Sequence, residues 1–159
     1  MTFLLQQSAL LTFMGLDSLP ELLFQQLSQA LSHNTIKLGS LASTRDYTYV
    51  SDTVDAFIQI AEQDSTIGKT YNIGSNKEIS IGNLAHKICE LTNPKCQIIT
   101  EKKRMRPEKS EVQRLWADNS KAINDIQWAP KISLEKGLTQ TINWVKPSMQ
   151  YYRTKDYVI

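Results

Sequence analysis

Arginine is the residue type in this chain whose positions most invite a chemical interpretation. Arg45 lies directly before Asp46, and a second group of cations runs through Lys102-Lys-Arg-Met-Arg-Pro-Glu-Lys109. A guanidinium is planar and permanently charged, and it can bind two oxygen atoms of a phosphate at once. Taken alone, Arg45 is best explained by an ion pair with Asp46 or Asp52. The stretch 102–109 is best explained as a solvated loop, and a nucleic-acid patch is less favoured because no aromatic residues interleave it.

The other reactive residue types predict no site. Cys89 and Cys96 are too few for a disulfide framework, and no Cys/His cluster has the paired spacing of a zinc site. His33 and His86 lie far apart in sequence, and we interpret both as surface or helix-face residues. The sequence therefore predicts a metal-free, reduced, cytoplasmic protein.

Length and composition indicate an ordinary globular domain. The chain has 159 residues, of which 41% are hydrophobic and 21% charged, and its 18 basic residues nearly balance 16 acidic ones. One core is expected, and any basic site must be local. The N-terminal stretch 1–16 is apolar, but it has no basic start and Gln6-Gln7-Ser8 interrupts it. Neither a signal peptide nor a membrane span is therefore expected.

Hydrophobic periodicity predicts a small mixed α/β domain of short strands and four to five helices. Helices are expected over 20–32, from Ser51 or Asp52 through 61, after Ser80 to about 92, over 119–125 and over 133–145. Strands are expected over 35–38, 47–50, 70–73 and 96–100, where β-branched and aromatic residues cluster.

Two sets of side chains are expected to pack inside this domain. The helix from Ser51 or Asp52 is expected to turn Val54, Phe57, Ile58 and Ala61 towards the core, and the next helix Ile81, Leu84, Ala85, Ile88 and Leu91. The aromatic residues Tyr47, Tyr49, Trp116 and Trp128 are interpreted as packing residues rather than as base-stacking ones.

Six segments, in one order, carry a family resemblance that covers about 24–145. They are Thr44-Arg-Asp-Tyr-Thr-Tyr-Val-Ser-Asp-Thr53, Gly68-Lys-Thr-Tyr-Asn-Ile-Gly-Ser75, Glu78-Ile-Ser-Ile-Gly-Asn-Leu84, Arg104-Met-Arg-Pro-Glu-Lys-Ser-Glu-Val112, Trp116-Ala-Asp-Asn-Ser-Lys-Ala122, and Trp128-Ala-Pro130 leading to Leu134-Glu-Lys-Gly-Leu138. Together they resemble the C-terminal, substrate-binding domain of NAD-dependent epimerases/dehydratases of the extended short-chain dehydrogenase/reductase family. The amino-acid sequence around Pro107 is most similar to the sugar-nucleotide 4,6-dehydratase branch that serves bacterial nonulosonic acid pathways.

The resemblance implies a binding site for a nucleotide-diphosphate sugar. It implies that Arg45 and Arg106 contact the diphosphate, that Glu111 reaches the ribose, and that the backbone of the strand from Ile36 to Leu38 lies along the base. Two guanidinium groups from distant segments would clamp a diphosphate, and each charge-assisted hydrogen bond contributes roughly 1.5–3 kcal/mol.

The catalytic and NAD-binding groups of this family lie in an N-terminal Rossmann half that the sequence does not match. The six glycines, at 15, 39, 68, 74, 82 and 137, form no glycine-rich dinucleotide turn. Tyr151-Tyr-Arg-Thr-Lys155 matches the family's Tyr-x-x-x-Lys pair, but it follows the domain and is interpreted as accidental. The expected organisation is a non-family apolar segment 1–23, a sugar-nucleotide-binding-like domain 24–145 and a tail 146–159.

Two functions from different classes are therefore predicted. The first is a truncated epimerase/dehydratase-like protein, inactive alone, that binds a sugar nucleotide and holds no cofactor or metal itself. It would depend on a separate nucleotide-binding partner for catalysis. The second is a non-catalytic homo-oligomeric interaction protein, because the face that packs on the Rossmann half in the full enzymes would be exposed. A complete small enzyme using Tyr151 and Lys155 is the least favoured alternative.

Overall fold

Short strands and helices alternate along the part of the chain that the structure describes. The structure is a computed structural model, and it describes residues 19–105 and 112–151. The helices are α1 (Leu19–Ser32), α2 (Val50–Ala61), α3 (Ile81–Thr92), α4 (Ser120–Ile126) and α5 (Leu134–Val145). The strands are β1 (Thr35–Leu38), β2 (Thr44–Asp46), β3 (Glu78–Ser80), β4 (Gln97–Thr100) and β5 (Arg114–Leu115). The expected mixed α/β domain of short strands and four to five helices is confirmed.

The strands form two small sheets, and the segment between β1 and β2 connects the first sheet to the second. β1 pairs in parallel with β4, with Ile36 opposite Ile98. In the second sheet β2 lies between β3, to which it is antiparallel, and β5, to which it is parallel. Because side chains alternate across a strand, Arg45 shares one face with Ile79 and Leu115, whereas Thr44 and Arg114 lie on the other face.

The main core lies between the first sheet and helices α1, α3 and α5. Helix α3 contributes most to this core. The packing predicted from its sequence pattern is confirmed, since Ile81, Leu84, Ala85 and Ile88 are all buried. The predicted cap is confirmed, since the Ser80 hydroxyl accepts a hydrogen bond from the backbone N–H of Asn83 at 3.1 Å. Leu91, expected in the same stripe, is 38% exposed.

Helix α2 packs with a different face from the one that its apolar residues predict. Asp52, Ala56 and Ile60 are buried, whereas Val54 and Ile58 are 47% and 49% exposed and Ala61 is exposed as well. The expected core stripe is therefore wrong at these three positions. Hydrogen bonds of Asp52 explain why this face is buried. The Asp52 carboxylate accepts the N–H of Ile132 at 2.9 Å, and the Asp52 backbone carbonyl accepts the indole N–H of the buried Trp128 at 3.0 Å. These bonds fix the orientation of α2 on a second core cluster, which is formed by Ala56, Ile60, Tyr71, Ala122, Ile126 and Trp128.

Two predicted strands and one helix start are also wrong. The strand expected over 47–50 is displaced to β2, and the strand expected over 70–73 has no strand partner among residues 19–105 and 112–151. Aromatic and β-branched residues favour extended backbone, but a strand also needs a neighbour to bond with. Helix α2 begins at Val50, with no side-chain cap from Tyr49, and not at a capping Ser51 or Asp52.

The predicted segment boundaries fall largely outside what the structure describes. Residues 1–18 and 152–159 are not described, so the segment 1–23 and the tail 146–159 stay predictions. Helix α1 begins at Leu19, and a short 3-10 helix, Lys146–Tyr151, follows α5.

Candidate functional site

The connection between β1 and β2, taken together with the first two residues of β2 (residues 39–45), is the place where the segments of interest meet. A Cβ on Gly39 would lie only 2.1 Å from the carbonyl oxygen of Arg104, so this glycine permits direct contact between the connection and the segment after β4. The backbone N–H of Thr44 donates to the carbonyl of Gln113 at 2.8 Å. Residues on both sides of the undescribed stretch 106–111 therefore contact the same connection.

Arg106 and Glu111 lie within that stretch, outside the described residues. Their convergence with Arg45 stays a prediction. Among the described residues, Arg104 contacts Gly39 and Gln113 accepts the N–H of Thr44, next to Arg45.

Arg45 is held on β2 and is only 8% exposed. Its Nη1 donates to the carbonyl of Thr44 at 2.8 Å. No ion pair joins it to Asp46 or Asp52 within the described ranges, where these two carboxylates instead accept backbone N–H groups. The contacts that the Asp46 and Asp52 carboxylates make are therefore with backbone N–H groups and not the expected ion pair with Arg45.

Tyr47 lies close enough to Arg45 for the guanidinium charge to act on it. The ring packs against the main core, as predicted, but its buried hydroxyl has no hydrogen-bond partner among residues 19–105 and 112–151. Burial raises the pKa of Tyr47 to about 12, and the charge of Arg45 opposes that rise. The phenol is thus neutral at physiological pH and can donate a hydrogen bond.

Asp46 is an organising residue that the sequence pattern did not reveal as such. Its carboxylate accepts the backbone N–H groups of Ser75 at 2.9 Å and Asn76 at 3.0 Å, and also the Ser75 hydroxyl. A Cβ on Gly74 would lie 2.8 Å from the same carboxylate and 2.4 Å from Cβ of Ala117. The turn residues Gly74-Ser75-Asn76 were the available signal, since turns expose N–H groups that an aspartate can accept. Asp46 thereby fixes the end of β2 next to Arg45.

Glu101 gathers the cations that follow β4. Its carboxylate accepts Nε of Arg104 at 2.8 Å and lies 3.2 Å from Nζ of Lys37 and 3.5 Å from Nζ of Lys103. The hydrogen bond from Arg104 is the largest cause that lowers the pKa of Glu101 to about 2, and burial opposes it. The hydrogen bond from Lys37 and the charges of Lys103 and Lys37 lower the pKa further. Three cations of the described chain therefore surround the Glu101 carboxylate.

Acid should weaken this corner in a defined pH range. Because the pKa of Glu101 is lower in the folded state, at about 2, than its ordinary 4.5, its stabilising contribution is complete above about pH 4.5. It is then lost as the pH falls towards 2. We expect Glu101→Gln to flatten the decrease in urea midpoint between those pH values relative to the native chain, with Glu62→Gln, an exposed carboxylate, as control. Parallel pH profiles for native chain and Glu101→Gln would contradict this.

The opposite face of the second sheet carries a separate, exposed arginine. Arg114 makes two bonds to Glu78, at 2.8 and 2.7 Å, and its guanidinium lies 5.0 Å from the ring centroid of Trp116. The hydrogen bonds from Arg114, and then from Thr44, lower the pKa of Glu78. Trp116 is 46% exposed, so its interpretation as a core residue is wrong, whereas Trp128 is completely buried as expected.

Comparison with known proteins identifies this arrangement. A family model described as GDP-mannose 4,6 dehydratase matches residues 17–141. The chain belongs to the GDP-mannose 4,6-dehydratase family. It is 26% identical to the dTDP-D-glucose 4,6-dehydratase of Homo sapiens over 144 residues, covering 87% of this chain and 41% of that protein. It is 34% identical to the UDP-N-acetyl-alpha-D-glucosaminuronate decarboxylase of Bacillus cytotoxicus, covering 68% and 34% respectively.

Solved structures of GDP-mannose 4,6-dehydratase relatives agree with the fold. The UDP-glucose 4-epimerase of Thermotoga maritima, solved with UDP-glucose, superposes with a TM-score of 0.69 at 25% identity and covers 80% of this chain and 40% of its own. The dTDP-glucose 4,6-dehydratase of Bacillus anthracis, solved with NAD, superposes with a TM-score of 0.68 at 25% identity and covers 84% and 42%. The resemblance to the C-terminal domain of extended short-chain dehydrogenases is confirmed, and the chain spans about 41% of its curated human relative.

The strand expected to lie along a nucleotide base turns the side chains of Ile36 and Leu38 into the core. Ile36 and Leu38 are 0% and 2% exposed, so their side chains belong to the core and cannot contact a ligand. The N–H of Lys37 donates to Oε1 of Gln29 at 2.6 Å, which occupies part of the strand's backbone. Contact between the Ile36–Leu38 backbone and a base stays a prediction.

The described residues hold no other grouped site of a recognised kind. Within 19–105 and 112–151 no three His, Cys, Asp or Glu residues are arranged to hold a metal ion. None of the helices in those ranges is long and apolar enough to cross a membrane. Tyr151 ends the last short helix, and Lys155, its partner in the motif interpreted as accidental, lies beyond the described residues.

Proposed function

We propose that this chain is a sugar-nucleotide-binding module that holds the diphosphate of a nucleotide sugar between Arg45 and Arg106. The observation that carries this proposal is the Gly39–Arg45 connection, which contacts the chain on both sides of Arg106 and ends at the nearly buried Arg45. A diphosphate bound there would meet a guanidinium from each segment. The cations around Glu101 would add long-range attraction for an anionic ligand.

Tyr47 and Glu111 complete the proposed site. The Tyr47 hydroxyl is a neutral buried donor beside Arg45, so a phosphate oxygen would satisfy it. Glu111 is proposed to reach the ribose. The nucleotide and sugar are proposed only by class, because relatives that use dTDP, UDP and GDP sugars all match this chain.

We propose that the residues that the structure describes do not hold NAD. Cβ atoms added at Gly39, Gly74, Gly82 and Gly137 would each meet protein atoms, so these glycines serve internal packing. They form no glycine-rich turn for a pyrophosphate. We therefore derive no redox step for these 159 residues, and we propose that any oxidation of the bound sugar depends on a separate nucleotide-binding part.

Calorimetric titration tests the proposed ligand. Titrating the chain with UDP-, GDP- and dTDP-glucose at low salt should give heat for at least one of them, with the matching nucleoside monophosphate binding more weakly because it lacks the second phosphate. Binding should weaken as salt is added. Absence of heat from all three sugars at millimolar concentration would remove the proposal, as would equal binding of the monophosphate and the diphosphate.

A second candidate function is a homo-oligomeric interaction protein, favoured by the outer face of α2. Val50, Val54 and Ile58 recur one helical turn apart and are 65%, 47% and 49% exposed. Apolar residues at this spacing form a continuous stripe whose exposure to water is unfavourable. A second copy or a nucleotide-binding partner would bury it.

Charge placed on this stripe should abolish self-association. We expect the native chain to form a symmetric dimer and Val54→Lys/Ile58→Lys to raise its dissociation constant by at least about tenfold, because burying a charge against apolar surface is costly. Light scattering over a concentration series measures this, with Ile99→Lys, at 43% exposure in β4, as the matched control. A native chain that is monomeric at every concentration would exclude the homo-oligomer.

A further inference from the structure

Cys89 and Cys96 are two reactive side chains that the proposed binding function leaves unused. Cys89, near the end of α3, is 6% exposed, and Cys96, directly before β4, is half-buried. Cys96 packs against the core cluster to which Cys89 belongs, and it lies close enough for its charge to act on the Cys89 thiol. The N–H of Asn93 donates to the carbonyl of Cys89, and that of Cys96 to the carbonyl of Asn93, both at 2.8 Å. These bonds fold the chain back so that residue 96 returns to α3.

We propose that Cys89 and Cys96 are a thiol modification site at which a small-molecule disulfide forms a reversible intramolecular disulfide. The Cys96 thiolate attacks one of the two sulfurs of the oxidant. The attacked sulfur becomes bonded to Cys96 in a mixed disulfide, and the other half of the oxidant leaves as a thiolate. The Cys89 sulfur then attacks Cys96 and displaces the second thiol. The chain gives up two electrons and two protons, and the oxidant becomes two thiols.

The two environments set the order of these steps. Burial first, and then the hydrogen bond and charge of Cys96, raise the pKa of Cys89 to about 12, so the buried thiol is a poor initial nucleophile. Cys96 is the more accessible group and reacts first. Once Cys96 carries the mixed disulfide, it has no negative charge to oppose ionisation of Cys89, and the neighbouring sulfur completes the exchange.

The cross-link would act on the element that leads to the proposed ligand site. It would join the end of α3 to the start of β4, and β4 runs directly into Glu101 and the Lys102–Arg104 turn beside Gly39. Formation of the disulfide does not depend on ligand binding, so it can succeed or fail independently of the proposed function.

Mass spectrometry of the full chain tests the proposal. After reduction, exposure to oxidised glutathione and alkylation of the remaining thiols, the main product should be an unalkylated monomer lighter by about 2 Da, the mass of two hydrogens. Tryptic cleavage after Lys95 separates the two cysteines, so their peptides should be recovered joined without reductant and apart with it.

Single variants assign the chemistry. Cys96→Ser should keep Cys89 reduced, and Cys89→Ala should stop at a glutathione adduct on Cys96. The proposal is overturned if the native chain keeps both thiols, stops at the glutathione adduct or forms only disulfides between chains. Should Cys89→Ala not fold, the joined peptides from the native chain still decide.

Discussion

Replacing Arg45 by alanine is expected to weaken the binding of a nucleotide-diphosphate sugar by about 10- to 150-fold, the loss of one charge-assisted interaction of roughly 1.5–3 kcal/mol. Arg45→Lys should restore only part of the affinity, because an ammonium keeps the charge but cannot bind two oxygens in one plane. The affinities are measured by calorimetry with the sugar nucleotide that binds the native chain.

Arg114→Ala is the matched control for this loss. Arg114 lies on the neighbouring strand but on the opposite face of the sheet, and its side chain is 59% exposed and bound to Glu78. Its removal should leave affinity within about twofold, since an exposed surface ion pair of this kind contributes little to stability and nothing to the proposed site. Equal losses for Arg45→Ala and Arg114→Ala would mean that only net charge matters and would refute a specific role for Arg45.

Folding must be separated from binding in these variants. Arg45 is nearly buried, so its alanine variant should also be somewhat less stable. Far-ultraviolet circular dichroism and a urea curve at the titration temperature show whether the variant is folded. An affinity loss in a fully folded Arg45→Ala chain is the result that supports the site.

Helices with one strongly apolar face could be predicted from the sequence, and α3 is the clearest case. Its buried positions and its Ser80 cap follow from spacing and from the preference of the first turn for a side-chain acceptor. In α2 the same reasoning chose the wrong face, because apolar residues lie on both sides of the helix. The side that is buried depends on the bonds from Asp52 and Trp128, whose partners are distant in sequence.

Strand positions were harder to predict, because pairing is a property of two segments. The stretch 70–73 has strand composition, and Tyr71 is buried at 3% exposure, yet no strand pairs with it in the described part of the chain. The candidate site shows the same limit. Family resemblance could name Arg45, but the contact of Gly39 with Arg104 and the bonds that Asp46 makes to Ser75 join residues far apart in sequence, and periodicity carries no information about such contacts.

Gly39→Ala is expected to be damaging for both stability and binding. The new Cβ would lie 2.1 Å from the carbonyl oxygen and 2.7 Å from the carbonyl carbon of Arg104. These are backbone atoms, and the Arg104 N–H is bonded to the carbonyl of Glu101 at 3.0 Å, so relief requires the whole turn to move. Overpacking of this kind costs roughly 1–3 kcal/mol of the free energy of unfolding.

The same movement would displace the backbone that leads into Arg106, so affinity for the sugar nucleotide should fall by at least about tenfold, the equivalent of 1.4 kcal/mol. Gly68→Ala separates this effect from the general cost of replacing a glycine. Gly68 has a φ of +74° and no atom within 4 Å of an added Cβ, so its alanine variant suffers backbone strain without a clash. We expect Gly68→Ala to lose stability while it binds normally. A Gly39→Ala chain with native affinity would show that the connection and the basic segment do not act as one site.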